Sequence, residues 1–256
     1  MKKVFFGILF LLCLQLVVCE TSIMAAPRMK VETTTGKVDV TVSKNETGYL
    51  KLEIRNGLQV RHYDLFKGSN HFNLLFGNGT YTLSTFHSTD GKRYKRTARE
   101  VFSVQLEKET APYLHDIQNI IINDQVSRLA TSLSRPSYSI SQQTLATSRY
   151  VRQLIKYDAK KLKTLPARYL PDNSDTLRKK RGICYEFASL TAGLLRSQGI
   201  PTRLAMGTAK GIKGYHAWNE VYIEGAWRII DVTRDVTEHK TTNYQKRSDY
   251  TMTLDY

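Results

Sequence analysis

Cys184 is the residue of this sequence best suited to covalent chemistry. The chain of 256 residues has three cysteines, and the other two, Cys13 and Cys19, lie in or beside an apolar run near its start. If that run is removed as an export signal, Cys184 has no partner for an internal disulfide and risks unwanted oxidation outside the cytoplasm. A thiol that carries such a risk is expected to serve a function.

The residues around Cys184 favour its thiolate form. The basic run Lys179-Lys180-Arg181 precedes it, and an apolar helical pattern that includes Phe187 and Leu190 begins there and stops at Gly199. A helix N-terminus and neighbouring positive charge lower the pKa of a thiol from ~8.5 to roughly 3.5–7.5. The sequence therefore predicts a nucleophilic cysteine at the first turn of a helix.

A predicted β-hairpin carries the groups that would activate this thiol. One strand begins at His216 and ends at Ile223, and the next runs from Ala226 to Asp231, with Glu224-Gly225 between them. If the turn has two residues, Ile223 pairs with Ala226, and His216 becomes a diagonal neighbour of Asp231 on the same face. A three-residue turn would break this parity. The arrangement predicts that His216 forms an ion pair with the thiolate and that Asp231 holds the second ring nitrogen, as in a Ser-His-Asp triad.

An acyl-transfer site also needs donors for the oxyanion. The backbone N–H of Cys184 is suited to this role because it lies at a helix start. The spacing of the sequence does not identify a second donor.

Four ordered motifs resemble those of the bacterial transglutaminase-like superfamily. They are Gly182-Ile183-Cys184-Tyr185-Glu186-Phe187-Ala188, Leu194-Leu195-Arg196-Ser197-Gln198-Gly199-Ile200-Pro201, Tyr215-His216-Ala217-Trp218-Asn219-Glu220-Val221 and Trp227-Arg228-Ile229-Ile230-Asp231. The resemblance implies a papain-like α+β core, in which a cysteine-bearing helix packs on an antiparallel sheet. It also implies that Cys184 is the nucleophile, His216 the general base and Asp231 the orienting residue. Val232 departs from the family pattern, since relatives often carry proline there.

Other side chains are weaker candidates for the site. Tyr215, Trp218 and Tyr185 are predicted to contact substrate, although packing is an equally simple role for each. No second cysteine or histidine lies at ligand spacing near Cys184 or His216, so neither a metal nor a cofactor is expected.

The patterns divide the chain into four parts. Residues 1–26 read as a signal peptide, because Lys2-Lys3 is followed by the apolar run Val4 to Val18, which is short for a membrane span of ~20 residues. An uncleaved anchor and a lipidated Cys19 are the alternatives. Residues 27–110 are predicted to form a small all-β sandwich, 111–140 a linker, and 141–256 the catalytic domain.

The sandwich is predicted from period-two alternation between Val31 and Leu106. Tight-turn dipeptides interrupt the alternation at Asn56-Gly57, Asn78-Gly79 and Asp90-Gly91. The whole chain is therefore expected to be an α+β protein with a β-domain before its catalytic core.

The charge of the chain suggests where it works. It has 38 basic and 23 acidic residues, a net charge of +15. For a secreted or extracytoplasmic protein this surplus favours anionic envelope polymers or lipid head groups as neighbours, with attachment to the membrane or cell wall left open. Nucleic acid is not expected, because no basic-aromatic binding motif occurs.

Two classes of function are consistent with the sequence. The first is an exported thiol enzyme that acts on peptide or glutamine amides through an acyl-thioester and passes the acyl group to an amine or to water. Its substrate would be a peptide or protein, such as a cell-wall peptide, and the short segment after Asp231 favours water. The alternative is a non-catalytic cell-envelope binding module that retains the fold.

Overall fold

The computed structural model describes residues 26–256. The expected signal peptide, with Cys13 and Cys19, therefore lies outside the described residues except for its last position. Within residues 26–256, no helix is long and apolar enough to cross a membrane. The chain has the predicted α+β architecture, with an all-β region before a mixed core.

Two antiparallel sheets form the N-terminal sandwich. One has the strand order β1-β2-β5 and the other the order β4-β3-β6-β7. The strands are β1 Arg28–Glu32, β2 Lys37–Val42, β3 Tyr49–Asn56, β4 Gln59–Leu65, β5 Gly68–Asn73, β6 Gly79–Ser88 and β7 Lys95–Val104. Alternate apolar residues of both sheets, such as Val40, Leu52 and Phe72, are buried in one shared core.

The turn dipeptides have different structural roles. Asn56 pairs with Gln59, so Gly57 and Leu58 form the predicted tight hairpin. Asn78-Gly79 is not a hairpin turn, because Gly79 begins β6 and the side chain of Asn78 accepts a hydrogen bond from the N–H of Leu106 at 2.8 Å. Strand β4 was not predicted, since its polar and exposed residues hide its alternation.

The segment 111–140, read from the sequence as a linker, contains a helix. Helix α1, Asp124–Leu133, is capped by the side chain of Asn123 and buries Val126 and Ala130 against the core helices. Its apolar stripe is short and its other face is polar, which is why the composition alone suggested a connection.

The start of this segment is bonded to both halves of the chain. The N–H of Gln118 donates to the carbonyl of His71 in β5 at 3.0 Å, and Ser189 donates to the carbonyl of Asn119 at 2.8 Å. Further ion pairs join the halves: Arg61 of β4 contacts Asp255, and Arg168 contacts Asp64 at 2.9 Å. Polar contacts therefore fix the sandwich to the core.

Helices α2 and α5 are the principal helices of the core. Helix α2, Ile140–Leu154, begins after Ser139, whose hydroxyl and the side chain of Gln142 form a reciprocal capping box. The hydroxyl of Ser141, in the first turn, bonds to the hydroxyl of Tyr244 at 2.9 Å. Helix α5, Cys184–Ser197, begins at the predicted residue and is buried along most of its length.

Short elements surround these helices. They are α3 Ala159–Leu162, α4 Asn173–Lys179, α6 Val232–Thr237, the parallel pair β8 Lys156–Tyr157 and β9 Arg181–Gly182, and the 3-10 turns Ala111–Leu114 and Arg247–Asp249.

A five-stranded antiparallel sheet supports α5. Its strand order is β13-β12-β11-β10-β14. The strands are β10 Thr202–Ala209, β11 His216–Ile223, β12 Ala226–Ile230, β13 Tyr244–Gln245 and β14 Tyr250–Asp255. Ile223 pairs with Ala226 across a two-residue turn in which Glu224 and Gly225 have φ of 49° and 81°. The predicted hairpin register is confirmed.

Gly207 is a position at which β14 lies close to β10. It pairs with His216 on one side and Met252 on the other, at an irregularity of the β10–β14 register. A Cβ atom built on Gly207 would lie 2.1 Å from the carbonyl oxygen of Thr251. Any larger residue must push the two strands apart.

We therefore expect Gly207→Ala to lower the free energy of unfolding by roughly 1–3 kcal/mol, as overpacked sites do. Urea denaturation followed by circular dichroism measures the change. Gly77→Asn is the control, because a Cβ there meets nothing within 4 Å and asparagine tolerates its φ of 71°. Equal stability of the two variants would contradict this account.

Candidate active site

Cys184 occupies the first position of helix α5. Its side chain is half-buried and packs with Ala188, Ala217 and Tyr185. The first N–H groups of a helix have no partner within it, and the helix dipole favours negative charge there. The fold thus places the thiol where a thiolate and a developing oxyanion are both stabilised.

Glu186 holds the entry to this helix. Its buried carboxylate accepts a hydrogen bond from the N–H of Ile183 at 2.9 Å, and it also contacts the ammonium of Lys161 and the hydroxyl of Tyr169. The chain before the thiol is therefore tied to its own first turn. This role of Glu186 was not predicted from the sequence, although an acidic residue at the third position of a helix is a capping signal.

His216 begins strand β11 and is 3% exposed. Its Nε2 lies 2.7 Å from Oδ2 of Asp231. Nδ1 is the other ring nitrogen, and Cys184 is near enough to the ring to raise its pKa. The structure thus brings His216 and Asp231 together as the hairpin parity predicted, with Cys184 beside them.

The surroundings of His216 favour its charged form. Burial lowers the pKa of the ring, but the hydrogen bonds to Asp231 and Cys184 outweigh burial and raise the pKa to about 9. At neutral pH the site therefore holds an imidazolium beside the thiol. The pKa of His216 in the fold lies above the ordinary value of 6.5, so its charged ring stabilises the folded protein. This contribution to folding stability is complete below pH 6.5 and is lost as the pH rises through about 9.

Asp231 is fully buried and accepts three hydrogen bonds. Its Oδ1 accepts from the N–H of Arg234 at 2.9 Å, while Oδ2 accepts from His216 and from the hydroxyl of Tyr250 at 2.9 Å. The aspartate is also the N-cap of helix α6. Val232 occupies the first position of that helix, where proline is also favoured, and its burial fixes the segment by packing.

Tyr250 and Trp218 form the wall behind this pair. Their rings lie 5.0 Å apart, and Trp218 stacks beside His216 at 6.2 Å. Trp218 is 1% exposed, so its buried ring supports the histidine, and the predicted substrate contact does not fit its position. Tyr250 was not predicted from the sequence, because only the pairing of distant strands brings it to Asp231.

The two predicted tyrosines have different surroundings. Tyr185 follows the thiol and its hydroxyl accepts a hydrogen bond from the amide of Asn119. Tyr215 is exposed, and its hydroxyl bonds to that of Thr253 at 2.8 Å. Tyr185 is therefore part of the inner site, while Tyr215 lies at the surface.

The described residues offer no obvious metal site. Among residues 26–256, no group of three or more histidine, cysteine, aspartate or glutamate side chains is arranged to hold an ion. The acid-base groups of the candidate site are those of the three central residues.

Comparison with known families finds a match for part of this core. Residues 127–232 match the family model of the transglutaminase-like superfamily, and this range contains all three central residues. This match covers less than half of the chain, and this part of the chain is similar to that superfamily.

Individual relatives match only segments. The chain is 39% identical over 72 residues to an uncharacterized protein of Mycobacterium leprae, covering 24% of this chain and 25% of that one. It is 25% identical over 125 residues to the kyphoscoliosis peptidase of Mus musculus, covering 44% and 19%. The chain thus spans about a quarter or less of the length of these relatives.

One solved structure aligns over more of the chain. It is a candidate cysteine protease from Cytophaga hutchinsonii, with 18% identity, 78% of this chain and 76% of that chain covered, and a TM-score of 0.44. The similarity of this core to the transglutaminase-like superfamily rests on the family model alone.

We expect Cys184 to react with iodoacetamide at pH 6 much faster than an ordinary thiol, because the His216 imidazolium stabilises its thiolate. His216→Ala should remove most of this excess rate. His62→Ala is the matched control, since His62 is exposed on the sandwich and pairs with Glu53. Mass spectrometry of the labelled peptide gives the rates, and an unchanged rate in His216→Ala would contradict the ion pair.

Asp231→Asn should lower turnover by up to ~10⁴-fold, the loss seen in the serine-protease triad, with the fold intact. It should also move the alkaline limb of kcat/KM below pH 9, because the hydrogen bond from His216 to Asp231 helps raise the histidine pKa to about 9. A pH profile and circular dichroism measure both effects. Asp124→Asn, on the exposed face of α1, is the control. Full turnover in a folded Asp231→Asn protein would remove Asp231 from the site.

Proposed function

We propose that this protein is an exported thiol enzyme that forms an acyl-thioester on Cys184 from a glutamine or peptide amide. The observation that carries the proposal is the buried, charged His216, which lies between Asp231 and the thiol of Cys184. The thiol itself is at the N-terminus of helix α5. A structural thiol requires none of these neighbours. Their assembly within a transglutaminase-like core supports catalysis.

The first half of the reaction transfers the acyl group to sulfur. The thiolate of Cys184 attacks the amide carbonyl carbon, and the negative charge on the carbonyl oxygen is stabilised by the N–H of Cys184. His216 then donates a proton from Nδ1 to the leaving nitrogen as the carbon–nitrogen bond breaks. Ammonia leaves from a glutamine side chain, or an amine from a peptide bond, and the acyl group remains as a thioester.

The second half regenerates the enzyme. His216, now neutral, takes a proton from the water or amine that attacks the thioester carbon. The carbon–sulfur bond breaks, and Cys184 leaves as a thiolate beside the imidazolium. Asp231 keeps Nε2 of the ring occupied throughout, so Nδ1 always faces the reacting atoms.

Water is the proposed acyl acceptor. An enzyme dedicated to amine transfer must keep water from the thioester, which needs a cover over the cleft. The loop beside the site is short, and Lys210, Gly211, Lys213 and Tyr215 on it are exposed. The segment after Asp231 contributes α6 and two strands that pair within the sheet, so it is used for packing.

We place this activity outside the cytoplasm, on an exported or cell-wall peptide. The support is the signal-like segment Lys2 to Val18 and the net charge of +15. Exposed lysines such as Lys180, Lys210 and Lys213 favour acidic peptides and anionic envelope polymers or lipid head groups as neighbours.

The acceptor is tested by incubating the protein with a pool of glutamine-containing peptides and a labelled primary amine. We expect mass spectrometry to detect deamidation or cleavage, and Cys184→Ala to abolish both. Amine incorporation without either product would contradict the preference for water. The absence of any modified peptide or trapped acyl-enzyme would contradict catalysis and favour a non-catalytic envelope-binding module.

A further inference from the structure

A dense run of positive charge lies where β6 turns into β7, at one end of the sandwich. Residues 92–99, called here the basic hairpin, contain Lys92, Arg93, Lys95, Arg96 and Arg99 and no acidic residue. All five of these side chains are exposed. None of the roles described above uses them.

Most of these charges are not neutralised within the molecule. Among residues 26–256, the ion pair that the basic hairpin forms is the one between Arg93 and Asp90, at 3.8 Å. In the other basic run, residues 178–181, the carboxylates of Asp175 and Asp158 pair with three of the four cations. Like charges placed so close together repel one another, so the basic hairpin favours the approach of an anion.

Hydrogen bonds fix the turn that presents these side chains. Oδ1 of Asp90 accepts from the N–H groups of Lys92 and Arg93 at 2.9 and 3.0 Å, and from the hydroxyl of Ser88 at 2.8 Å. Gly91, with a φ of 72°, donates its N–H to the oxygen of that hydroxyl at 2.9 Å. A turn that is already ordered loses less entropy when a ligand binds.

A pocket of about 750 Å³ lies beside the basic hairpin. Among the described residues, its lining has three cations, Arg93, Lys95 and Arg96, and one carboxylate, that of Asp90. The other lining residues are His87, Ser88, Thr89 and Thr97. Guanidinium, ammonium and hydroxyl groups all donate hydrogen bonds to phosphate and carboxylate oxygens, so this lining suits an anionic group.

The register of β7 continues the positive charge beyond the pocket. Arg96 pairs with Phe86 and Arg99 with Ser84, across an irregularity that follows Thr85. Ser84 and Phe86 are two residues apart on β6, so their partners share one face of the sheet, roughly 7 Å apart along the strand. A row of cations with this spacing matches several anionic groups in sequence better than a single one.

Strand β7 is at the opposite edge of its sheet from β4, the strand whose Arg61 contacts the core. Three strand spacings, about 14 Å, separate the two edges, so a ligand on β7 does not need to reach Cys184. Charged side chains also protect a free edge strand from pairing with other chains. Lys92 and Arg93 lie in the turn before the paired residues, where this protection is not needed.

We propose that the basic hairpin binds a linear polyanion, a chain of repeated phosphate or carboxylate groups. The proposal goes beyond the proposed function, because it gives the β-domain a ligand of its own and requires no step at Cys184. A flexible chain can enter a pocket that a flat bilayer or a rigid duplex cannot. The turn Thr89-Asp90-Gly91-Lys92-Arg93 also carries no apolar side chain for insertion into a bilayer.

The test measures the binding of inorganic polyphosphate and of poly-glutamate to the full chain at neutral pH. Phosphatidylglycerol vesicles and duplex DNA are the comparison probes, at the same concentration of anionic groups. We expect at least one polymer to bind more tightly than either comparison probe. We also expect that binding to weaken as sodium chloride rises from about 50 to 200 mM. Biolayer interferometry on the immobilised protein gives the dissociation constants.

Two variants and a control assign the binding to the hairpin. Arg93→Gln/Lys95→Gln/Arg96→Gln removes the three cations of the pocket and should weaken polymer binding roughly 10- to 100-fold. Lys92→Gln/Arg99→Gln should also weaken it, and covers the case in which the triple variant does not fold. The control removes the same net charge from three exposed lysines elsewhere and should change binding less than about 3-fold: Lys67→Gln/Lys108→Gln/Lys246→Gln.

The outcomes keep this proposal apart from the proposed function. The polyanion site is overturned if neither polymer binds, if vesicles or duplex DNA bind more tightly than both polymers, or if the control weakens binding as much as the hairpin variants do. The labelling rate of Cys184 with iodoacetamide is measured in the same variants and should not change. A labelling rate that falls together with polymer affinity would overturn the separation of the two sites. Polymer binding without peptide turnover would support the hairpin site and contradict only the enzyme.

Discussion

The buried contact between His216 and Asp231 is the interaction on which the rest of the core depends. Two ionisable side chains are kept from water, which costs free energy unless each is paired and its remaining polar atoms are bonded. Removing one partner of such a pair typically costs about 3–5 kcal/mol. The hydroxyl of Tyr250 and the N–H of Arg234 satisfy the carboxylate, and Trp218 covers the ring. Five residues of the chain thus meet at the 2.7 Å contact between His216 and Asp231.

A second constraint fixes the thiol relative to that pair. Helix α5 packs on the sheet, and its first turn is held by the buried carboxylate of Glu186, to which Lys161 and Tyr169 also bind. A side chain at Gly182 would lie 2.6 Å from Cβ of Glu186, so the close approach requires glycine there. The nucleophile is positioned by contacts made on both sides of it in the sequence.

Local patterns predicted the parts of this site that depend on neighbouring residues. The start of α5 followed from apolar spacing and the preceding charges, and the parity of the β11–β12 hairpin followed from a two-residue turn. Tyr250 was not predictable in this way, because only the pairing of β14 with β10 brings it to Asp231. Helix α1 and strand β4 were missed for a related reason. Their short apolar patterns become informative only when the surfaces they cover are known.

The contacts between the sandwich and the core bear on how such a chain can change in evolution. Asp255 forms an ion pair with Arg61 of the sandwich. It also accepts a hydrogen bond, at 3.1 Å, from the hydroxyl of Tyr113 in the connecting segment. Arg168 of the core pairs with Asp64 of the sandwich at 2.9 Å. Exchange of the sandwich for an unrelated domain would remove Asp64 from Arg168 and Arg61 from Asp255, which would keep only Arg203 and Tyr113. The sandwich and the core differ in sequence pattern, but these contacts favour their inheritance together. Recombination between relatives is expected to exchange the two regions as one unit.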